Sequence, residues 1–406
     1  MLASARHLLY GTQKRAFLSL IFLVLTGYLS IFFLSSVFGR PAQSEQIHYA
    51  YLADAFLHGR LDVTPEDPSA LIELVPFNNK LYVVYPPFPA IVMLPVVAIF
   101  GPHIPTGLIS ILFVALGIAS LFYWLRCLEI ETETAWWVSF LWAFGTSLLY
   151  TGLKGSSWYV AHVMGIAFFT MALVETQTKK RALLAGALLG AAFLCRLPIL
   201  LSFPFVGWLL IRDADNKKRN IALFLSAVTV AYSLNMLYNW LRFDTFSNVA
   251  YEWIPGVLDQ PQYQEGILHL SYLPRNIYAI FFQSPVLVEE FPYFIPSSFG
   301  LGVFFASPAL LLMFLAPNNR VTWFLVAAAI ACLLPALVHG NPGSTQFGYR
   351  FSLDAFPFLA ALTAFGIRNG VTARVLFLIL LSSVLALWGL LFIRNTSVQC
   401  LYPVLL

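Results

Sequence analysis

Residues 81–125 contain no Asp, Glu, Lys or Arg. An uncharged stretch of this length cannot form the surface of a water-soluble domain. The whole chain is of the same kind: 59% of its 406 residues are hydrophobic and only 10% are charged, against about 25% charged in a soluble globular domain. Disorder, which needs low hydrophobicity and high net charge, is excluded as well. A polytopic membrane protein remains. The apolar runs do not alternate with polar residues, so the spans are helices and not barrel strands. The formal charge of +4 comes from basic residues spread along the chain, in runs of at most three, a placement that membrane topology explains better than a nucleic acid does. Four cysteines without a short-spaced pair suggest neither a metal centre nor a disulfide framework.

The runs lie near 16–38, 105–125, 134–151, 160–177, 182–195, 198–212, 220–240, 298–316, 321–339, 353–367 and 374–393. The first is too long for a signal-peptide core, has no cleavage site after it, and reads as a signal anchor whose basic end (Arg6, Lys14, Arg15) is cytoplasmic. Pro198 separates two short spans, because proline breaks a helix. Gly186 and Gly190 are spaced for a close helix contact. Residues 86–100 are proline-rich, and the positive-inside rule decides their place. If they stay at the outer interface, 14 of the 23 Lys and Arg face the cytoplasm, including Lys179-Lys180-Arg181 and Lys217-Lys218-Arg219; if they cross, only nine do. The expected architecture is therefore an all-α polytopic chain of about 11 transmembrane helices. Its N-terminus is cytoplasmic, and 1–406 form one membrane-embedded domain without a soluble C-terminal part.

In this topology 13 of the 19 acidic residues face outward. They gather in outer loop one, 39–104, and outer loop two, 241–297. Between Glu45 and His58 the sequence suits an interfacial helix ending at Gly59, with Glu45 and His48 three residues apart on one face. Asp54 lies about 180° from Glu45 on an ideal helix, so both reach one pocket only if the helix starts after Glu45. A third outer loop, 340–352, runs through Gln346-Phe347-Gly348-Tyr349-Arg350 to the mouth of a span.

The order of an N-terminal span, a membrane-proximal acid, an interfacial helix ending in Gly and a Pro-Pro-aromatic segment resembles the GT-C superfamily of membrane glycosyltransferases. It looks closest to the protein O-mannosyltransferase and aminoarabinose-transferase-like bacterial enzymes. Glu45-Gln46-Ile47-His48-Tyr49 matches the register of that group's acidic motif, with Gly59 fourteen residues on and Pro86-Pro87-Phe88 downstream. The phrases 52–60 and 346–350 resemble bacterial members too. The usual paired acids are reduced here to Glu45 followed by Gln46, and Tyr85 stands where a basic residue often precedes the prolines. The soluble C-terminal domain of some members is missing.

The resemblance implies transfer of a sugar from a polyprenyl-phosphate donor to an extracytoplasmic acceptor, with inversion at the anomeric carbon. Glu45 is the candidate base on family register. Asp54 is the other, because a charge in an apolar helix is costly unless it is used or paired, for instance with His58 or Arg60. Arg350 suits phosphate through its planar fork, with Tyr349 beside it for isoprenoid or sugar. Lys80, Arg60 and His48 complete the substrate- and phosphate-binding candidates; Arg275 is a further cation, and His48 suits a local hydrogen bond better than a base. Trp158, Tyr159 and His162 could line a sugar or acceptor site. No cofactor is expected, a divalent metal stays open, and no metal-ligand set is read from the sequence; the partners are the lipid-linked donor and membrane lipids. The alternative is a flippase-like carrier of lipid-linked sugar or polysaccharide, against which stands the lack of an internal repeat.

Overall fold

The computed structural model describes residues 12–37, 46–66, 71–212, 215–291, 293–297, 299–343 and 346–395. It is helical almost throughout. Among the described residues six helices are long and apolar enough to cross a membrane: Gln13–Ser35, Thr106–Cys127, Ser157–Gln177, Lys217–Phe243, Arg320–Leu337 and Ala373–Leu391. Shorter apolar helices occupy Phe88–Phe100, Ala182–Phe193 and Leu197–Ile211. The chain is an all-α polytopic membrane protein.

Phe88–Phe100 has 13 residues and contains Pro95. At 1.5 Å per residue it is about 20 Å long, short of the ~30 Å hydrocarbon core. Two expected spans are interrupted. The run 134–151 forms Thr132–Phe144 and then Ser147–Lys154. Gly145 caps the first piece through its amide to the Leu141 carbonyl, and the Thr146 hydroxyl accepts the Leu148 amide as the chain restarts. The run 298–316 is not a regular helix. A four-residue helix, Val303–Ala306, gives way at extended Ser307 to a 3-10 segment, Pro308–Leu315; proline disfavours helical backbone in the residue before it.

The chain divides into two compact units, 1–28 with 121–151 and 268–406, and 29–120 with 152–267. In the second unit the helices Ser157–Gln177, Ala182–Phe193 and Lys217–Phe243 pack together. The glycine pair works as a close contact. A Cβ on Gly186 would lie 2.5 Å from the Phe224 carbonyl oxygen, and one on Gly190 would lie 2.6 Å from Ala231 Cβ. This unit also carries the β-hairpin, β1 (Leu74–Phe77) and β2 (Lys80–Val83). Phe77 pairs with Lys80 across a two-residue turn, and Asn78 and Asn79 both have positive φ, 50° and 59°. Asparagine tolerates that backbone, and the turn type matches the strand twist.

One face of the hairpin is a core. Val75 and Tyr82 pack with Phe243, Ala250, Ile254, Val257 and Tyr263, so the segments 39–104 and 241–297 share an apolar cluster. The buried Arg242 guanidinium ties them further. It donates to the carbonyls of Val83 and Tyr238 and to Asn239 Oδ1, and lies 3.6 Å from the centre of the Tyr238 ring.

In the first unit Trp142 meets Phe356 edge-on at 4.4 Å, and the Ser382 hydroxyl accepts the Ala309 amide. Phe347 lies over Gly389 of the last helix so closely that a Cβ there would overlap its ring.

Candidate functional site

In the unit of 29–120 and 152–267, polar groups converge at the open end of the hairpin. The interfacial helix runs His48–Leu57, beginning three residues after Glu45, so the 180° separation computed for one continuous helix does not apply. Glu45 itself lies outside the described residues. Gln46 and His48 grip Ile72 from both sides. Gln46 Oε1 accepts the Ile72 amide at 3.1 Å, and His48 Nε2–H donates to the Ile72 carbonyl at 2.6 Å. The Gln46 carbonyl in turn accepts both the amide and the hydroxyl of Ser157, each at 3.0 Å, which fixes the start of the helix bearing Trp158.

The residue after Ile72 is Glu73, with φ of 63°. A non-glycine residue in this region costs about 1–3 kcal/mol and persists only where its surroundings hold it. Glu73 Oε2 accepts the indole N–H of Trp158 at 2.7 Å and the hydroxyl of Tyr85. The His48 ring stands edge-on to both aromatics, 5.5 Å from Tyr85 and 5.9 Å from Trp158. Burial lowers the pKa of His48 against the opposing pull of its hydrogen bond to Ile72 and the Glu73 charge, and it raises that of Tyr85, as does Glu73. His48 is therefore a neutral imidazole with its proton on Nε2, and Tyr85 a neutral donor. Sequence reasoning counted Glu73 among the loop acids without singling it out.

Asp54 is partly exposed on the interfacial helix. It is six residues from His48, about 120° around the axis. His58 Nδ1 lies 3.7 Å from its carboxylate and 2.8 Å from its backbone carbonyl. Arg60 and Lys80 converge on Asp62, at 3.7 Å and 3.1 Å, a cluster of two cations on one anion beside the hairpin turn.

In the other unit the 340–352 loop is organised by Gln346. Its buried side chain donates to the carbonyls of Phe299 and Pro342 at 2.9 and 3.1 Å, and accepts the Arg350 amide at 3.2 Å. Arg350 opens a 3-10 turn, Arg350–Ala355, with its guanidinium 5.1 Å from the Phe351 ring centre. Tyr349 is buried, its hydroxyl 3.4 Å from the Ala336 carbonyl. Arg275 donates to the Gly340 and His339 carbonyls. Asn276 donates to those of Ala336, Leu337 and His339, satisfying the end of helix Arg320–Leu337. Among the described residues no group of three His, Cys, Asp or Glu side chains could hold a metal ion.

These features define a class: a multi-pass helical membrane protein whose 39–104 segment places Asp54 on a helix and Glu73 at the foot of a hairpin. The chain shares its fold with ArnT from Cupriavidus metallidurans, solved bound to undecaprenyl phosphate: TM-score 0.53 at 14% identity, covering 91% of this chain and 64% of that one. It thus spans less than two thirds of that protein's length. The oligosaccharyltransferase of Archaeoglobus fulgidus, solved with a tethered acceptor peptide, aligns with TM-score 0.43 at 14% identity, over 86% of this chain and 50% of that one. No family model and no curated protein matches the chain. What is shared with ArnT is the polytopic helical fold.

Proposed function

We propose that this chain is a membrane glycosyltransferase. It moves a sugar from a polyprenyl-phosphate donor to an acceptor hydroxyl on the extracytoplasmic face, with inversion, and its N-terminus is cytoplasmic. The observation that carries this reading is the fold it shares, along 91% of its length, with a protein solved with undecaprenyl phosphate bound.

The chemistry asks little of the protein. Asp54 or Glu45 takes the proton of the acceptor hydroxyl. The acceptor oxygen bonds to the anomeric carbon as the bond from that carbon to the phosphate oxygen breaks, and the electron pair leaves with the polyprenyl phosphate. Arg350, by its planar fork, is a separate candidate ligand for the lipid phosphate. Arg60 and Lys80 exceed Asp62 by one positive charge and are the cationic candidates for the phosphate in the unit that carries Asp54. His48 acts as a neutral positioning group.

The test is transfer by the purified protein in lipid, supplied separately with radiolabelled polyprenyl-phosphate sugars and nucleotide sugars. Label should move from the lipid-linked donor. Transfer from the nucleotide sugar alone would overturn the proposal.

A further inference from the structure

Glu73 carries more of the site's design than its place in the sequence suggests. Both of its hydrogen bonds, from Tyr85 and Trp158, fall on Oε2. Among the described residues Oε1 takes none, and no Lys or Arg pairs with the carboxylate. The side chain is only partly buried. The backbone is left-handed, and Ile72, just before it, is held at both its amide and its carbonyl. The result is a charged acceptor with one oxygen oriented by neutral donors and one left for something else, flanked by the rings of Tyr85, Trp158 and His48.

A carboxylate serving only to brace the hairpin would gain most from a cation or from donors on both oxygens. Its partners here are aromatic donors. An uncommitted carboxylate oxygen beside the polar edges of aromatic rings matches a pyranose or furanose ring, whose hydroxyls donate.

We propose that Glu73, framed by Tyr85 and Trp158, is a sugar-recognition subsite in which Oε1 accepts ring hydroxyls of the donor's sugar. This rests on the glycosyltransferase reading above and adds to it the group that distinguishes the sugar from the lipid. Glu73 binds here and does not take the acceptor proton.

The experiment compares two probes on the purified full chain: a polyprenyl-phosphate-linked hexose and the same polyprenyl phosphate without sugar. Glu73→Gln keeps the size of the side chain. Its amide oxygen can still face Tyr85 and Trp158, which turns a donor group toward the ligand in place of the acceptor. Affinity for the sugar-bearing lipid should fall about ten- to 150-fold, the range for a hydrogen bond to a charged group, with affinity for the sugar-free lipid unchanged. Trp158→Phe removes one orienting donor while keeping a ring, and should weaken the sugar-bearing lipid selectively but less. Equal loss for both lipids, or no loss for the sugar-bearing one, would overturn the subsite. Wild-type protein that binds neither lipid would overturn the glycosyltransferase reading and the subsite with it, an outcome distinguishable because it appears before any substitution is made. If Glu73→Gln does not fold, the same comparison on Trp158→Phe decides.

Discussion

The loop around Glu73 and the loop around Arg350 solve the same problem differently. Each must hold polar groups in an apolar setting. At 340–352 the buried amide of Gln346 gives both donor contacts to the Phe299 and Pro342 carbonyls and its oxygen to the Arg350 amide. The group is neutral and wholly engaged with the scaffold. At 72–85 the half-buried Gln46 and the buried His48 do the scaffolding, while the charged group, Glu73, is bound through one oxygen among the described residues. A neutral side chain with every atom paired specifies a backbone; a charge with an oxygen to spare is available for a ligand.

The comparison breaks hardest at the candidate bases. Asp54→Asn and Glu45→Gln keep size and remove proton acceptance, and loss of a general base costs about 10²–10⁴-fold in rate. One of the two variants should show that loss in turnover while still inserting and folding. Near-normal turnover in both would remove the carboxylate assignment. Next in size is Arg350. Arg350→Ala and Arg350→Lys should both weaken binding of the lipid phosphate, by roughly tenfold to 150-fold for the alanine variant, because lysine keeps the charge and loses the fork. A lysine variant with wild-type affinity would reduce the site to a point charge.

A smaller effect separates scaffold from site. Gln346→Ala strands two carbonyls and an amide, at about 1–3 kcal/mol for each group left buried and unsatisfied. It should lower the thermal unfolding midpoint more than Glu73→Gln does. The reverse order would mean that Glu73 is the brace. The smallest effect is in pH. Burial lowers the folded-state pKa of His48, so below about 6.5 the unfolded chain binds a proton that the folded chain resists. His48 therefore contributes full stability above that pH and loses it as pH falls toward its folded pKa. The unfolding midpoint of wild type should drop more steeply on acidification than that of His48→Gln, and parallel curves would contradict the buried neutral imidazole.

The membrane class and most spans were legible because uncharged helical runs announce themselves locally. Gly186 and Gly190 were legible for the same reason, as was the interfacial helix ending at Gly59. The run 298–316 was misread, because hydropathy does not register the break that Pro308 imposes. The hairpin had a local signal in Asn78-Asn79 between apolar residues, one weaker than Asn-Gly. Glu73 had none: its partners Tyr85 and Trp158 stand 12 and 85 residues away, and only the folded chain brings them to one oxygen. Arg60 and Lys80 were legible as cations, yet their shared engagement with Asp62 depends on the hairpin register.

The most direct measurement follows the bond itself. Purified protein in liposomes, given a doubly labelled polyprenyl-phosphate sugar and the envelope fraction of the producing cells as acceptor, should release free polyprenyl phosphate in step with sugar appearing on the acceptor. Movement of intact donor across the bilayer, with lipid and sugar labels never parting, would contradict glycosyl transfer and leave a carrier in its place.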